Sequence, residues 1–404
     1  MRRLVMGAAL ALAVPCAAHA QLAVRGEQVY TMAGAPIPDG VVLIGANGRI
    51  ERVGPASQVP VPAGWRTLTA RVVTPGLIDA HSVVGLAGYL NQPHDQDQLE
   101  RSDALQPALR AVDAYNAAEP LVGWLQQYGV TTLHTGHGPG ALISGQTIIV
   151  KTRGNSIDEA VVDTFAAVAA TLGPEVTSNF QRPGTRAKGV AMLRAKLFEA
   201  QEYARRRALP VDNAQRPARN LDLEVLATVL ERRVPLLVTA QRSTEILAAL
   251  RLQREFGFRL VLDGAAESYL VADEIRRADV PVILHPTMAR HGGTLENATL
   301  ETAGLLGAAG ITVALQSGFE GYVPKTRVVL FEAAMAAAYG LSFEQALATI
   351  TINAARVLGI DDRVGSLESG KHGDVVLFDG DPFEHLSKVC AVIIEGQVVR
   401  EGCR

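Results

Sequence analysis

Cysteine is scarce: the 404 residues hold three, at Cys16, Cys390 and Cys403. That is too few for a disulfide-stapled scaffold, and the spacing offers no thiolate zinc site. Aromatic residues make up only 5% of the chain while hydrophobic residues reach 48%, so a globular core of Ala, Val and Leu is expected rather than disorder. The net charge of −3 removes the electrostatic reason to expect nucleic acid or an anionic membrane as partner. A nucleotide-type phosphate loop is missing as well. The Gly-rich stretch 138–146 lacks the Lys-Ser/Thr ending of such a loop, which leaves it only as a candidate anion cradle through its backbone N–H groups.

Long apolar runs are absent except at the start. Arg2 and Arg3 precede an apolar run from Leu4 to about Ala18, and Ala18-His19-Ala20 leads into Gln21. A basic start, a short apolar stretch and a small-x-small site are the parts of a secretory signal peptide. The run is shorter than the roughly 20 residues that a membrane-spanning helix needs. Pro15 argues against lipid attachment at Cys16. The expectation is a signal peptide over 1–20, a mature chain from Gln21, a periplasmic or secreted location and no membrane partner. In that oxidising setting Cys390 and Cys403, which flank an expected hairpin, either pair or stay free.

Residues 22–73 read as short strands with turns, and Asn47-Gly48 between apolar runs is a hairpin signal. The C-terminus has the same texture, with a strand at 374–378 and a hairpin around Glu395-Gly396. Two β-rich ends imply one small β-sandwich assembled from residues 21–73 and 361–404. Between them, apolar strands are expected at 72–80, 130–135, 147–152, 234–239, 259–263, 281–285 and 311–316. Helical periodicity occupies 243–256, 268–278 and 327–339. The expected fold class is α/β: a parallel (β/α)8 TIM-type barrel over 74–360, joined to the composite sandwich. Only seven strands are counted, so the eighth is sought at 83–90. A long charged helix is expected over 182–208 and a loop over 210–220.

Val73-Thr74-Pro75-Gly76-Leu77-Ile78-Asp79-Ala80-His81-Ser82 resembles the first barrel strand of the amidohydrolase superfamily, in its imidazolonepropionase-like and Xaa-Pro dipeptidase-like branch. Thr351-Ile352-Asn353-Ala354-Ala355-Arg356-Val357-Leu358-Gly359, with Val364-Gly365-Ser366-Leu367-Glu368-Ser369-Gly370-Lys371-His372-Gly373-Asp374, resembles that superfamily's return from barrel to sandwich. The resemblance implies a hydrolase acting on a carbon–nitrogen bond of a small amide, lactam or dipeptide. It also implies one or two divalent metals, zinc or manganese. These would be held by histidines on the first strand, a carboxylated lysine or glutamate, histidines on two middle strands and an aspartate on the last. Such metals lower the pKa of a bound water, and the aspartate shuttles its proton.

Position by position, the sequence departs from that set. The first strand ends His81-Ser82-Val83 instead of His-x-His. Thr239 and Gln241 stand where a histidine is expected, Gly264 where the next is, and Gly318 in place of the aspartate. His81 and Lys151 remain as a remnant metal set, short of the three protein ligands that a catalytic site wants. The usual mechanism is therefore disfavoured, the divalent metal is expected to be absent, and no residue is assigned as catalytic. His134, His137, Gln241, Arg242, Asp263 and His285 are the candidates for binding a small-molecule or dipeptide-like ligand. His291 follows in the same loop as His285, and Lys325 joins Arg242 as a candidate for an acidic group. Asp79 reads as a structural partner, and Glu267 as the charge complementing a helix that begins near Ser268. Two functions stay open: a hydrolase, and a catalytically inactive pseudoenzyme that binds a ligand or an active paralogue. A homo-oligomer is open as well.

Overall fold

The computed structural model describes residues 21–90, 92–210, 216–285, 292–318 and 329–403. The expected signal segment 1–20, His291 and Lys325 lie outside the described residues. Four strands come first: β1 (Leu22–Val29), β2 (Ile37–Ile44), β3 (Ile50–Pro55) and β4 (Arg66–Pro75). Eight more follow: β5 (Leu77–Ser82), β6 (Val130–Gly136), β7 (Gly145–Lys151), β8 (Val161–Thr171), β9 (Leu236–Ala240), β10 (Leu260–Gly264), β11 (Val282–Leu284) and β12 (Val313–Leu315). The chain then adds β13 (Val375–Phe378), β14 (Val389–Ile394) and β15 (Gln397–Glu401).

The two ends of the chain build one sheet, in the order β15-β14-β13-β4-β1-β2-β3. Its inward residues, among them Leu22, Val24, Ile44, Val73, Val375, Leu377 and Ile393, form a core of their own. Cys390 and Cys403 are joined by a disulfide across the β14–β15 edge. The expected strand at 72–80 is in fact two. It breaks at Gly76, where the chain leaves the sandwich for the barrel. A Cβ at that position would lie 2.1 Å from Thr131 Oγ1, so the close approach of the two units requires glycine.

The second sheet runs in the order β12-β11-β10-β9-β8-β7-β6-β5 and curls into a barrel. A bridge between Ser82 and Gly318 brings its two edges together. The eighth strand is β8, not residues 83–90, where the Ala87 amide instead turns back onto the Val83 carbonyl. Its sequence VVDTFAAVAAT is rich in alanine and interrupted by Asp163 and Thr164, which disguises it.

The expectation of an all-parallel barrel also needs correction: β7 runs antiparallel to both β6 and β8. Only residues 137–144 connect β6 to β7. A parallel crossover needs about a dozen residues, so the short link imposes a hairpin. Reversal puts the C-terminal end of β7 at the barrel's bottom.

The barrel is packed, not hollow. Ile78, Ile149, Ala167, Leu237, Val261, Ile283 and Ala314 fill its interior, and Ala354, Ala355 and Val357 of the helix Ile352–Leu358 plug the bottom. Chemistry is thereby confined to the opposite end, where the parallel strands terminate. Among the described residues no helix is long and apolar enough to cross a membrane.

Candidate functional site

Side chains alternate along a strand, so the residue two positions beyond an interior apolar one also points inward. Applied to Leu237, Val261, Ile283 and Ala314, this rule gives Thr239, Asp263, His285 and Gln316. Applied backwards along the reversed β7, it turns Ile149 into Thr147. One polar layer therefore caps the apolar one.

Asp263 is its centre. Its Oδ1 lies 2.9 Å from His81 Nδ1 and accepts from Gln316 Nε2 at 2.7 Å, while Oδ2 accepts the Thr239 hydroxyl at 2.6 Å. His81 comes from β5 and Asp263 from β10, which are not neighbours in the sheet, so the pair spans the barrel interior. Burial opposes charge on Asp263, but the His81 ring, with hydrogen bonds from Thr239 and Gln316, holds its carboxyl below the ordinary range. Burial likewise opposes charge on His81. The charge and hydrogen bond of Asp263, and the charge of Asp79, outweigh that and hold its imidazolium above the ordinary histidine range. His81 Nε2 is buried and has no hydrogen-bond partner among the described residues.

A second buried carboxyl supports the first. Asp79 accepts from the backbone N–H of His81 at 3.3 Å and of Ser317 at 3.0 Å, and from the Ser317 hydroxyl, locking the first strand to the last. Burial raises its pKa to about 6 against these hydrogen bonds. His134 is fully engaged: Nδ1 lies 2.6 Å from the Ala80 carbonyl, which only an N–H can satisfy, and Nε2 lies 2.7 Å from Thr147 Oγ1. Burial and the nearby His81 charge push its pKa down to about 3, so the ring is neutral.

The other candidates divide. The His285 ring packs on Gly318, close to the layer. Gln241 packs against Gly264, its Oε1 accepting from the Ala266 amide at 3.2 Å. Arg242 sits at the mouth, donating to Glu296 at 2.6 Å with Glu267 at 3.6 Å. His137 is buried in the loop after β6, beside Gly145, and burial holds its pKa down.

Lys151 does not belong to this end. It closes the reversed β7 at the barrel's bottom, where it bonds Asp374 and, at 3.0 Å, the Thr132 hydroxyl. Glu267 complements a different helix from the one expected: it accepts from the Ser243 amide at 2.7 Å, at the start of the helix Ser243–Phe256. The Gly-rich loop is no anion cradle either. The amides of Gly138, Gly140 and Ser144 bond Gln98, Thr171 and Ala169.

Comparison with known proteins agrees with this architecture. A model of the amidohydrolase family matches residues 271–399. An imidazolonepropionase of Rhizorhabdus wittichii is 26% identical over 397 residues, covering 88% of this chain and 92% of the relative. The amidohydrolase tasK of Hapsidospora irregularis is 23% identical over 83% of this chain, which spans 37% of that longer protein. Among solved structures, an amidohydrolase from Thermotoga maritima superposes with a TM-score of 0.87 at 27% identity, covering 94% of this chain and all of that one. The chain belongs to the amidohydrolase superfamily. Within it, the chain falls in the imidazolonepropionase-like branch.

That family is usually metal-dependent. The donor set described at this end does not fit such a centre. Asp263 spends both oxygens on side chains and His134 both nitrogens. Among the described residues, the one group of three His, Cys, Asp or Glu donor atoms within 4.8 Å of one another is Asp379, Cys390 and Cys403, on the sandwich. There the two sulfurs are bonded to each other.

Proposed function

We propose that this chain hydrolyses a carbon–nitrogen bond in a small amide or dipeptide-like molecule outside the cytoplasm, working from His81 and Asp263 and not from a metal centre. The observation that carries the reading is the unpartnered Nε2 of His81, whose Nδ1 is held by a buried carboxylate. A histidine fixed at one nitrogen and free at the other is equipped for proton transfer. In the step we assign to it, a water oxygen bonds to the carbonyl carbon while Nε2 takes the water's proton. The ring then gives that proton to the nitrogen as the C–N bond breaks, leaving an acid and an amine. Asp263 orients the ring and stabilises its charged form, and Thr239 and Gln316 keep Asp263 in place. Because Asp263 holds the His81 pKa above the ordinary range, the ring becomes a base only as pH rises through that value, and the rate should rise with it.

The test is hydrolysis of N-acyl amino acids, lactams and Xaa-Pro dipeptides by protein grown with zinc and manganese, before and after chelation. Turnover that survives chelation, with far less than one ion per chain, supports the reading. Turnover lost on chelation and restored by zinc overturns it. Absence of turnover across the panel favours the second reading, a barrel that binds a ligand or an active paralogue without reaction. That alternative draws on Gly318, which brings no side chain to the place where the family's aspartate is expected.

A further inference from the structure

A cavity of about 450 Å³ lies away from the His81 site, between the helices Arg186–Arg207 and Ser243–Phe256. Leu142, Leu172, Val176 and Val190 give it apolar walls, and four charged side chains line it: Glu245, Arg186, Arg251 and Arg194, the last paired with Glu255. Its size falls in the range of roughly 300–1,000 Å³ typical of small-molecule sites.

Glu245 is the unusual member. Its Oε2 accepts the backbone amides of Gln241 and Arg242, at 3.2 and 3.1 Å, and so caps its helix. Its Oε1 is buried and has no hydrogen-bond partner among the described residues. The nearest cation, Arg186 Nη1, stands 3.6 Å away, beyond hydrogen-bond reach, and donates to Thr244 Oγ1 at 3.1 Å instead. A helix cap needs only one of the two oxygens, so capping does not account for the other. A buried carboxylate oxygen that accepts no hydrogen bond costs free energy that a bound donor would return, and the ion pair with Arg186 at 3.6 Å offsets only part of it. Burial, with the nearby Glu175 adding to it, holds the Glu245 carboxyl above its ordinary range against the two backbone amides and Arg186, so its negative charge is incompletely compensated.

We propose that this cavity is a second ligand site, which takes a free α-amino acid with an aliphatic side chain. The ammonium would donate to Glu245 Oε1, the carboxylate would meet Arg186, and the side chain would lie on the apolar walls. The close approach of Glu245 to Arg186 suits two opposite charges carried on one carbon. A ligand with only an amine brings no anion to the guanidinium, and one with only a carboxylate brings no hydrogen-bond donor to Glu245 Oε1. Through Glu245 the ligand would also touch the Gln241–Arg242 turn at the mouth of the barrel. The proposal stands on the cavity and is independent of whether the chain hydrolyses anything.

Calorimetric titration with L-leucine tests it, using 4-methylpentanoate and 3-methylbutylamine as one-headed controls. Saturable binding of one leucine per chain is expected, with both controls weaker. Glu245→Gln, which keeps a cap acceptor, and Arg186→Ala, on an exposed side chain, should each weaken leucine by about tenfold or more, the scale of a lost charged hydrogen bond. Both variants should melt cooperatively, close to the parent protein. No saturable binding by the parent in the millimolar range overturns the proposal. So does leucine binding that neither variant weakens, or controls that bind as well as leucine.

Discussion

His81 Nδ1 and Asp263 Oδ1 lie 2.9 Å apart with both side chains 3% exposed, a buried pair that joins opposite sides of the barrel interior. Removing one member leaves the other charged and without its counter-ion. We therefore predict that His81→Ala lowers stability by about 3–5 kcal/mol in a urea melt, the scale of a broken buried ion pair. His81→Asn can still donate to Asp263 and should fold. It lacks the proton-transfer group, so its turnover should fall about 10²–10⁴-fold. Parent-like turnover by the Asn variant would remove His81 from the chemistry.

Reinstating an acid on the last strand should fail for a steric reason. Gly318 has φ +66°, and a Cβ there would stand 2.3 Å from His285 Nε2. Gly318→Asp combines left-handed backbone with a clash against a ring, and is expected to cost about 1–3 kcal/mol. It should confer no zinc-dependent hydrolysis. A variant as stable as the parent, with metal-dependent turnover, would show that the glycine is a simple deletion of function.

Acid should destabilise the fold through His134. Its pKa falls from 6.5 to about 3 on folding, because burial disfavours its charge. The unfolded chain therefore binds the extra proton first, and the associated stability is present above pH 6.5 and is lost as pH falls towards 3. Asp79 works in the opposite direction: with its pKa raised from 3.8 to about 6, its contribution is lost as pH rises through that window. The informative quantity is thus the difference between parent and His134→Gln in urea melts across these values. It should grow with pH and level off above the upper one. A difference independent of pH would mean that the ring does not stay neutral.

How much of this was legible in the residues varies with the kind of signal. The motifs around Gly76-Leu77-Ile78-Asp79-Ala80-His81 and Thr351–Gly359 carry the barrel and its return to the sandwich, because long apolar strands and turn chemistry are local. The reversal of β7 was written in the short link 137–144, yet strand periodicity is blind to direction. That is why Lys151 reads as a site residue and lies instead at the far end. Thr239 looked like a loss when matched against histidine, and Gln316 drew no reading at all. Counting two residues on from Leu237 and Ala314 would have placed them in one layer with Asp263. The second oxygen of Glu245, buried without a hydrogen bond, had no such trace, since a Glu three residues after a helix start ordinarily signals a cap and nothing more.

The Lys151–Asp374 pair should behave as a structural clamp. Both side chains are buried, at 2% and 3% exposure, and Asp374 also accepts the Glu395 amide at 2.8 Å. Lys151→Met is expected to cost about 3–5 kcal/mol because it strands a buried carboxylate, and Lys151→Met with Asp374→Asn should recover part of that. Hydrolysis by the folded fraction should be unchanged. A selective loss of turnover at parent-like stability would contradict the placement of Lys151 away from the chemistry.

The composite sandwich has a consequence for how the molecule is made. β4 pairs with β1 on one side and with β13 on the other. Synthesis runs from the N-terminus, so that second edge stays open until residue 375 has been delivered. An open edge is a template for pairing with another chain. Whatever handles the nascent protein has to keep β4 apart from its neighbours for most of the chain's length, and a product stopped short of β13 would expose that edge permanently, marking itself as unfinished.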